Sequence, residues 1–244
     1  MLPVGDHSGQ QDGHGSAIAS LTFFVLLLIA FALQLLLVPG RLYVPVSLAF
    51  IPGVLFGGVE LPSGMALLPP PATLVSYQFV HGSWVHLAGN LLFLWVFGPK
   101  VEQTLGSGSW TTLLLLSGVA AALTQAWFEP SSPGVMIGAS GGISGILGAY
   151  LYLHPRARIR TVIPAGIMLR GVQLPAWLVL VVWFVVQLLY SSLAESEQGG
   201  VAFRAHIGGF VCGLLLAPVL HYFALLSADA RPVARTRRSR DSSH

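Results

Sequence analysis

Charge is the scarcest resource in this 244-residue chain: 9% of its residues are Asp, Glu, Lys or Arg, against roughly 25% in a soluble domain. That shortage excludes an ordinary water-soluble globule. A single cysteine, Cys212, excludes an internal disulfide and, lying in an apolar run, leaves the redox compartment undetermined. Carboxylates are missing from the middle of the apolar runs: Asp6, Asp12, Asp229 and Asp241 are terminal, and the glutamates lie in loops or at helix ends. A membrane aspartate pair is therefore excluded, and so is a carboxylate to complete a Ser-His triad. No His-Glu-x-x-His occurs, and His81 and His86, with no Glu between them, make a poor metal motif. The residues from Met1 to Gly15 hold no Lys or Arg, which argues against a cleaved signal peptide.

What is present is apolar. Hydrophobic residues make up 54% of the chain and the mean hydropathy is +0.75. Several runs approach or exceed the ~20 apolar residues that cross a hydrocarbon core. The reading is a polytopic helical membrane protein with spans at Ala17 to Val38, Trp84 to Phe97 (extended to Val101), Trp110 to Trp127, Ser140 to Leu153, Leu174 to Leu193 and Val201 to Leu226. Residues 1–16 form a polar cytoplasmic segment, 17–226 the six-helix core, and 227–244 a basic, disordered cytoplasmic tail. Between the first two spans, Arg41 to Val80 is punctuated by proline and glycine and reads as a structured loop lying partly in the interface. His154 to Arg160 reads as a basic loop.

The formal charge of +3 and pI near 9.4 do not indicate a nucleic-acid partner, because the basic residues flank the spans and are not interleaved with aromatics. They set orientation instead. Lys100, Arg156, Arg158, Arg160, Arg170 and the five arginines of the tail follow spans two, four and six, whereas Arg41 and Arg204 alone lie on the other side. By the positive-inside bias both termini are cytoplasmic. His81, His86 and Asn90 at the start of span two, Ser140 and Ser144 on span four, and His206 on span six then share one depth near the outer face. Polar groups at membrane depth are costly and mark function.

Ser140 opens span four within Gly138-Ala139-Ser140-Gly141-Gly142-Ile143-Ser144-Gly145, after the breaker-rich loop from Phe128 to Gly134. Glycines beside a serine allow a sharp turn and close approach to the hydroxyl. Backbone N–H groups at the helix start lack intrahelical partners and can hold an oxyanion. Glycine-rich membrane segments are more often plain packing faces, and a lone membrane histidine is as often structural. The combination carries more weight. Gly209 and Gly213 after His206 form a small-xxx-small face that matches Gly141 and Gly145, close enough for His206 to take the Ser140 proton. His86 and Asn90, four residues apart, share a helical face and can donate to an oxyanion.

These residues give the chain a family likeness. His81-Gly-Ser-Trp-Val-His86-Leu-Ala-Gly-Asn90, continuing through Gly98 and Val101-Glu102 to Leu105-Gly106, resembles the second span of the rhomboid intramembrane serine proteases. Gly138-Ala139-Ser140-Gly141 resembles their nucleophile motif, and Ala205-His206-x-x-Gly209-x-x-x-Gly213 their base motif. The likeness runs from about Phe79 to Leu216. It implies an all-α membrane protein, a six-transmembrane-helix rhomboid-like bundle, with Ser140 as nucleophile and His206 as general base. It also implies His86, Asn90 and the Ser140 amide as oxyanion site, and His81 in a structural or water-coordinating role. Ser144 sits in its own Gly-x-Ser-Gly frame, but the family's glycine eight residues past the nucleophile is Gly148 for Ser140 and would be Tyr152 for Ser144. The register selects Ser140.

Two positions depart from the family pattern. Ser144 stands where an aromatic ring commonly packs on the base, which leaves that packing to another residue. Ala72-Thr73 replaces a Trp-Arg of the first outer loop. The resemblance implies cleavage of transmembrane protein substrates, with small residues at the cut and helix-breakers nearby. It implies no metal or organic cofactor, a lipid bilayer as partner, and a bacterial inner (plasma) membrane as setting. Ser191 to Phe203 is expected to cap the site, and span five to tilt for substrate. The alternative is a rhomboid-fold pseudoprotease that binds membrane clients without cutting, although such proteins lack the serine or the histidine. A transporter or channel would need polar residues along a whole path, and the inner halves of these spans are apolar.

Overall fold

The computed structural model describes residues 2–6, 17–37, 46–165, 168–193 and 202–229. In chain order they form β1 (Leu2–Asp6), α1 (Ile18–Leu37), α2 (Pro52–Phe56), α3 (Thr73–Ser76), α4 (Trp84–Leu105), α5 (Ser107–Phe128), α6 (Ser140–Leu153), β2 (Arg158–Ala165), β3 (Met168–Pro175), α7 (Ala176–Leu193) and α8 (Phe203–Asp229). The chain is mostly helical, and backbone chemistry sets where its helices begin and stop. Ser83, extended at φ −162°, caps α4 by accepting from the His86 N–H at 3.1 Å. Gly106, at φ +80°, ends α4 and lets α5 start at the next residue.

Among the described residues three helices are long and apolar enough to cross a membrane: Ile18–Leu37, Ser107–Phe128 and Phe203–Ser227. A fourth candidate is the pair Pro70–Phe79 and Trp84–Leu105, bent by 83°. The segments read as spans four and five are the helices α6, 14 residues, and α7, 18 residues, and neither meets that length and composition test.

The all-α expectation needs one correction. The segment read as a basic loop is one only from His154 to Ala157; from Arg158 the chain forms a β-hairpin, β2–β3, and the polar N-terminal segment supplies a third strand, giving the antiparallel order β1-β2-β3. Pro3 lies opposite Thr161, and Arg160 opposite Gln173. Arg158 and Arg160 are exposed while Ile159 and Thr161, which alternate with them, are buried, the two-residue alternation of a strand covered on one face. The arginines obscure it, because they also read as orientation signals. Residues 7–16, the tail from 230 to 244 and residues 194–201 of the expected cap lie outside the described residues.

At the centre stands α6. Every residue from Gly141 to Tyr150 is buried, and α4, α5, α7 and α8 all pack against it. Its crossing with α8 is made by glycine: a Cβ added at Gly209 or Gly213 would collide with the carbonyl oxygens of Gly141 and Gly145, and one at Gly148 with that of Phe210. Backbones approach this closely only where side chains are absent. Around this axis Phe97 meets Tyr150 edge-on at 5.0 Å, and the Trp110 indole donates to the Gly98 carbonyl at 3.1 Å.

Helix α1 is fastened to the bundle by a buried carboxylate. Glu102 accepts from the Ala19 and Ser20 N–H groups at 2.8 and 2.7 Å, and from the Ser20 and Ser107 hydroxyls at 2.6 and 2.7 Å. The first N–H groups of a helix have no intrahelical acceptors, and a carboxylate there satisfies both hydrogen bonding and dipole.

The loop from 46 to 80 is structured, as its apolar pieces suggest. Besides α2 and α3 it holds 3-10 turns at Pro70–Ala72 and Tyr77–Phe79. Phe50 and Met136 exchange backbone hydrogen bonds at 3.1 and 2.8 Å, and Gly138 N–H donates to the Tyr77 carbonyl at 2.9 Å. The Tyr77 hydroxyl donates to Gly118 O at 2.8 Å. The strand of chain leading into Ser140 is thereby held from both sides.

Candidate active site

Ser140 is the first residue of α6 and half-buried. The turn that presents it is Gly138, whose φ of +105° lies in the region that L side chains avoid. Glycine is required there for a second reason: an added Cβ would sit 2.5 Å from His86 Nε2 and 3.5 Å from Asn90 Nδ2. The imidazole and the amide of α4 therefore lie directly against the backbone that leads into the serine.

Across the α6–α8 crossing, His206 Nε2 is 2.8 Å from Ser140 Oγ. The opposite ring nitrogen, Nδ1, is 2.9 Å from Gln187 Oε1 on α7. The ring is held by aromatics on two sides: Trp183 lies at 6.2 Å, inclined by 33°, and Phe203 stands edge-on at 6.4 Å. The ring contact displaced by a serine at 144 thus falls to Trp183 from α7. Ser144 itself is 1% exposed and donates its hydroxyl to the Ser140 carbonyl at 2.6 Å. Its side chain serves the helix backbone.

Asn90 is 6% exposed and its Nδ2 lies 2.9 Å from His81 Nε2. An amide nitrogen carries two hydrogens, so one can serve His81 while the other is directed elsewhere. His81 is fully buried, with edge contacts to Phe31 at 6.5 Å and to His86 at 5.1 Å. Its backbone is gripped by Gln34 of α1, whose Nε2 donates to the His81 carbonyl at 2.7 Å. Arg204, two residues before His206, is paired with Glu129 and lies over the Phe128 ring at 5.1 Å. That ties the start of α8 to the end of α5.

Thus Ser140, His206, His86, Asn90 and His81 lie in one neighbourhood. Gln187 and Gln34 also belong to it, and sequence reasoning passed over both. Their signal was available: each is a lone amide in an otherwise apolar helix, a placement that demands a partner.

A helical membrane protein built around a hydrogen-bonded serine–histidine pair is what fold and site together define. The chain belongs to the rhomboid family: the model of the Rhomboid domain matches residues 71–223. It is 29% identical over 151 residues to Rhomboid protein 1, mitochondrial, of Saccharomyces cerevisiae, covering 59% of this chain and 40% of that one. It is 31% identical over 143 residues to Rhomboid protease GlpG of Serratia proteamaculans, covering 59% and 46%. With RHOMBOID-like protein 5 of Arabidopsis thaliana it shares 27% over 147 residues, covering 60% and 43%. The match spans less than half the length of each of these curated relatives.

Proposed function

We propose that the chain is an intramembrane serine endopeptidase that cuts other membrane proteins within or beside their transmembrane segments. The observation that carries this reading is the 2.8 Å contact between His206 Nε2 and Ser140 Oγ at the glycine-lined crossing of α6 and α8. Family membership and relatives named as proteases support it.

Ser140 Oγ attacks the scissile carbonyl carbon while its proton passes to His206 Nε2. The oxyanion that forms is held by the Ser140 N–H, with His86 and Asn90 donating from α4, and His81 keeps Asn90 in place. His206 then gives its proton to the leaving amine. Water, deprotonated by the same nitrogen, hydrolyses the acyl-enzyme and restores the serine.

The chain crosses the membrane six times, with both termini cytoplasmic and Ser140 toward the outer face. Fourteen residues of α6 amount to about 21 Å at 1.5 Å per residue, short of the ~30 Å hydrocarbon core. Ser140 therefore lies below the surface yet within reach of water from outside. A helical substrate hides its peptide bonds in backbone hydrogen bonds, so segments that unwind readily are preferred.

The test is labelling of the purified, detergent-solubilised chain by a fluorophosphonate probe, with Ser140→Ala and Ser144→Ala in parallel. The expected result is labelling of the native chain and of Ser144→Ala and none of Ser140→Ala. Loss only in Ser144→Ala would move the nucleophile by one turn. No labelling of a folded native chain would favour a client-binding protein without cleavage.

A further inference from the structure

Gln187 is 7% exposed on a helix whose neighbouring residues, Val186 and Leu188, are 38% and 44% exposed. It is thus a polar residue turned inward on a helix that presents hydrocarbon to its surroundings. Four residues earlier on the same face of α7, Trp183 lies against the His206 ring. The two bracket the imidazole, the indole beside its face and the Gln187 oxygen at Nδ1, 2.9 Å away.

An amide oxygen can only accept, so Nδ1 must carry the hydrogen of the neutral ring. That leaves the Nε2 lone pair free and aimed at Ser140 Oγ, the arrangement a general base needs. The other tautomer would present an N–H to the serine and could not take its proton. In hydrolytic triads a carboxylate makes this choice, and a wrong tautomer there costs a large part of the rate. Among the described residues no carboxylate faces His206: the titratable and charged groups around it are His86 of α4, Tyr190 of α7, which stacks on the Phe203 ring beside it, Ser140 of α6, and the Arg204–Glu129 pair that neutralises itself.

We propose that Gln187 is the positioning residue of the site, fixing the tautomer of His206 from α7 as a neutral substitute for the triad carboxylate. The proposal rests on the serine-protease reading above. It has a consequence for the helices: the acceptor rides on α7 and the base on α8, so base competence requires the two to stay docked.

The experiment measures fluorophosphonate labelling rates against probe concentration and pH for the full detergent-solubilised chain. The variants are native, Ser140→Ala, Gln187→Leu and Gln187→Glu. Gln187→Leu removes the acceptor at similar size. Its maximal labelling rate is expected to fall about 10- to 100-fold, less than the roughly 100- to 10,000-fold that a general base itself contributes, because the base remains and only its tautomer is released, with the half-saturating probe concentration changed less than about twofold. Gln187→Glu keeps the acceptor and adds negative charge beside the ring. It is expected to restore the maximal rate at alkaline pH and to move the acid limb of the profile to higher pH, because His206 then holds its proton longer. A role confined to packing would move neither the limb nor the rate in this paired way.

Native labelling and an unmoved limb in Gln187→Glu would overturn the proposal, as would a Gln187→Leu rate equal to native. If Gln187→Leu fails to fold, Gln187→Glu alone decides. A native chain that does not label, or a Ser140→Ala variant that labels normally, would overturn the nucleophile assignment itself and this inference with it.

Discussion

Replacing Gly138 by alanine separates two costs that a single substitution usually confounds. The backbone cost comes from φ +105°, a conformation worth about 1–3 kcal/mol of strain for a residue with a Cβ. The second cost is local to the site. The new Cβ would lie 2.5 Å from His86 Nε2 and 2.6 Å from Cε1, so the ring must retreat by about 0.9 Å to regain ordinary van der Waals separation. A displacement of about 1 Å in a transition-state donor costs on the order of 100-fold in rate. Gly64→Ala supplies the control: φ is +86° there and nothing lies within 4 Å of the added atom. Both variants should lose stability by similar amounts in thermal unfolding in detergent. Gly138→Ala alone should lose cleavage of a transmembrane model peptide, by about two orders of magnitude. Equal activity in the two variants would refute the placement of His86 among the groups that act on the oxyanion.

Other consequences follow from the same contacts. Glu102→Gln puts an NH2 where a carboxylate oxygen now accepts from Ser20 or from Ala19; donor then faces donor in a buried site, and stability should fall by about 2–4 kcal/mol, whereas a loss under ~0.5 kcal/mol in thermal unfolding would refute the capping role. Gly209→Ala should separate α6 from α8 and abolish labelling of Ser140, while Gly89→Ala, with open space around the added methyl, should label as native does. Breaking the half-buried Arg204–Glu129 pair by Arg204→Ala should cost no more than about 1 kcal/mol and leave the labelling rate within a few-fold, as read in the same two assays.

The residues that gather at the site are legible in the sequence because each is a chemical exception within apolar surroundings. Ser140, His206, His86 and Asn90 stand out against their runs, and the glycine spacing at 141, 145, 209 and 213 announces which two helices come close. Gln187 and Gln34 are exceptions of the same kind. What the sequence does not reveal is the rotation of α1 and α7 about their axes, so the direction in which their amides point is settled only by packing. The sheet was hidden for a different reason. Its β1–β2 pairing joins residues 2–6 to 159–162, a contact across most of the chain that no local pattern encodes. The two arginines of β2, Arg158 and Arg160, point outward at the period of a strand, but together with Arg156 just before them they also read as a loop at a membrane surface.

The burial of α6 on every side has a further implication. Lipid tails press on α1, α5, α7 and α8, whose outer residues are exposed, but they touch almost nothing between Gly141 and Tyr150. Bilayer thickness, tail order and the choice of detergent can therefore reach Ser140 only second-hand, through the helices packed around it.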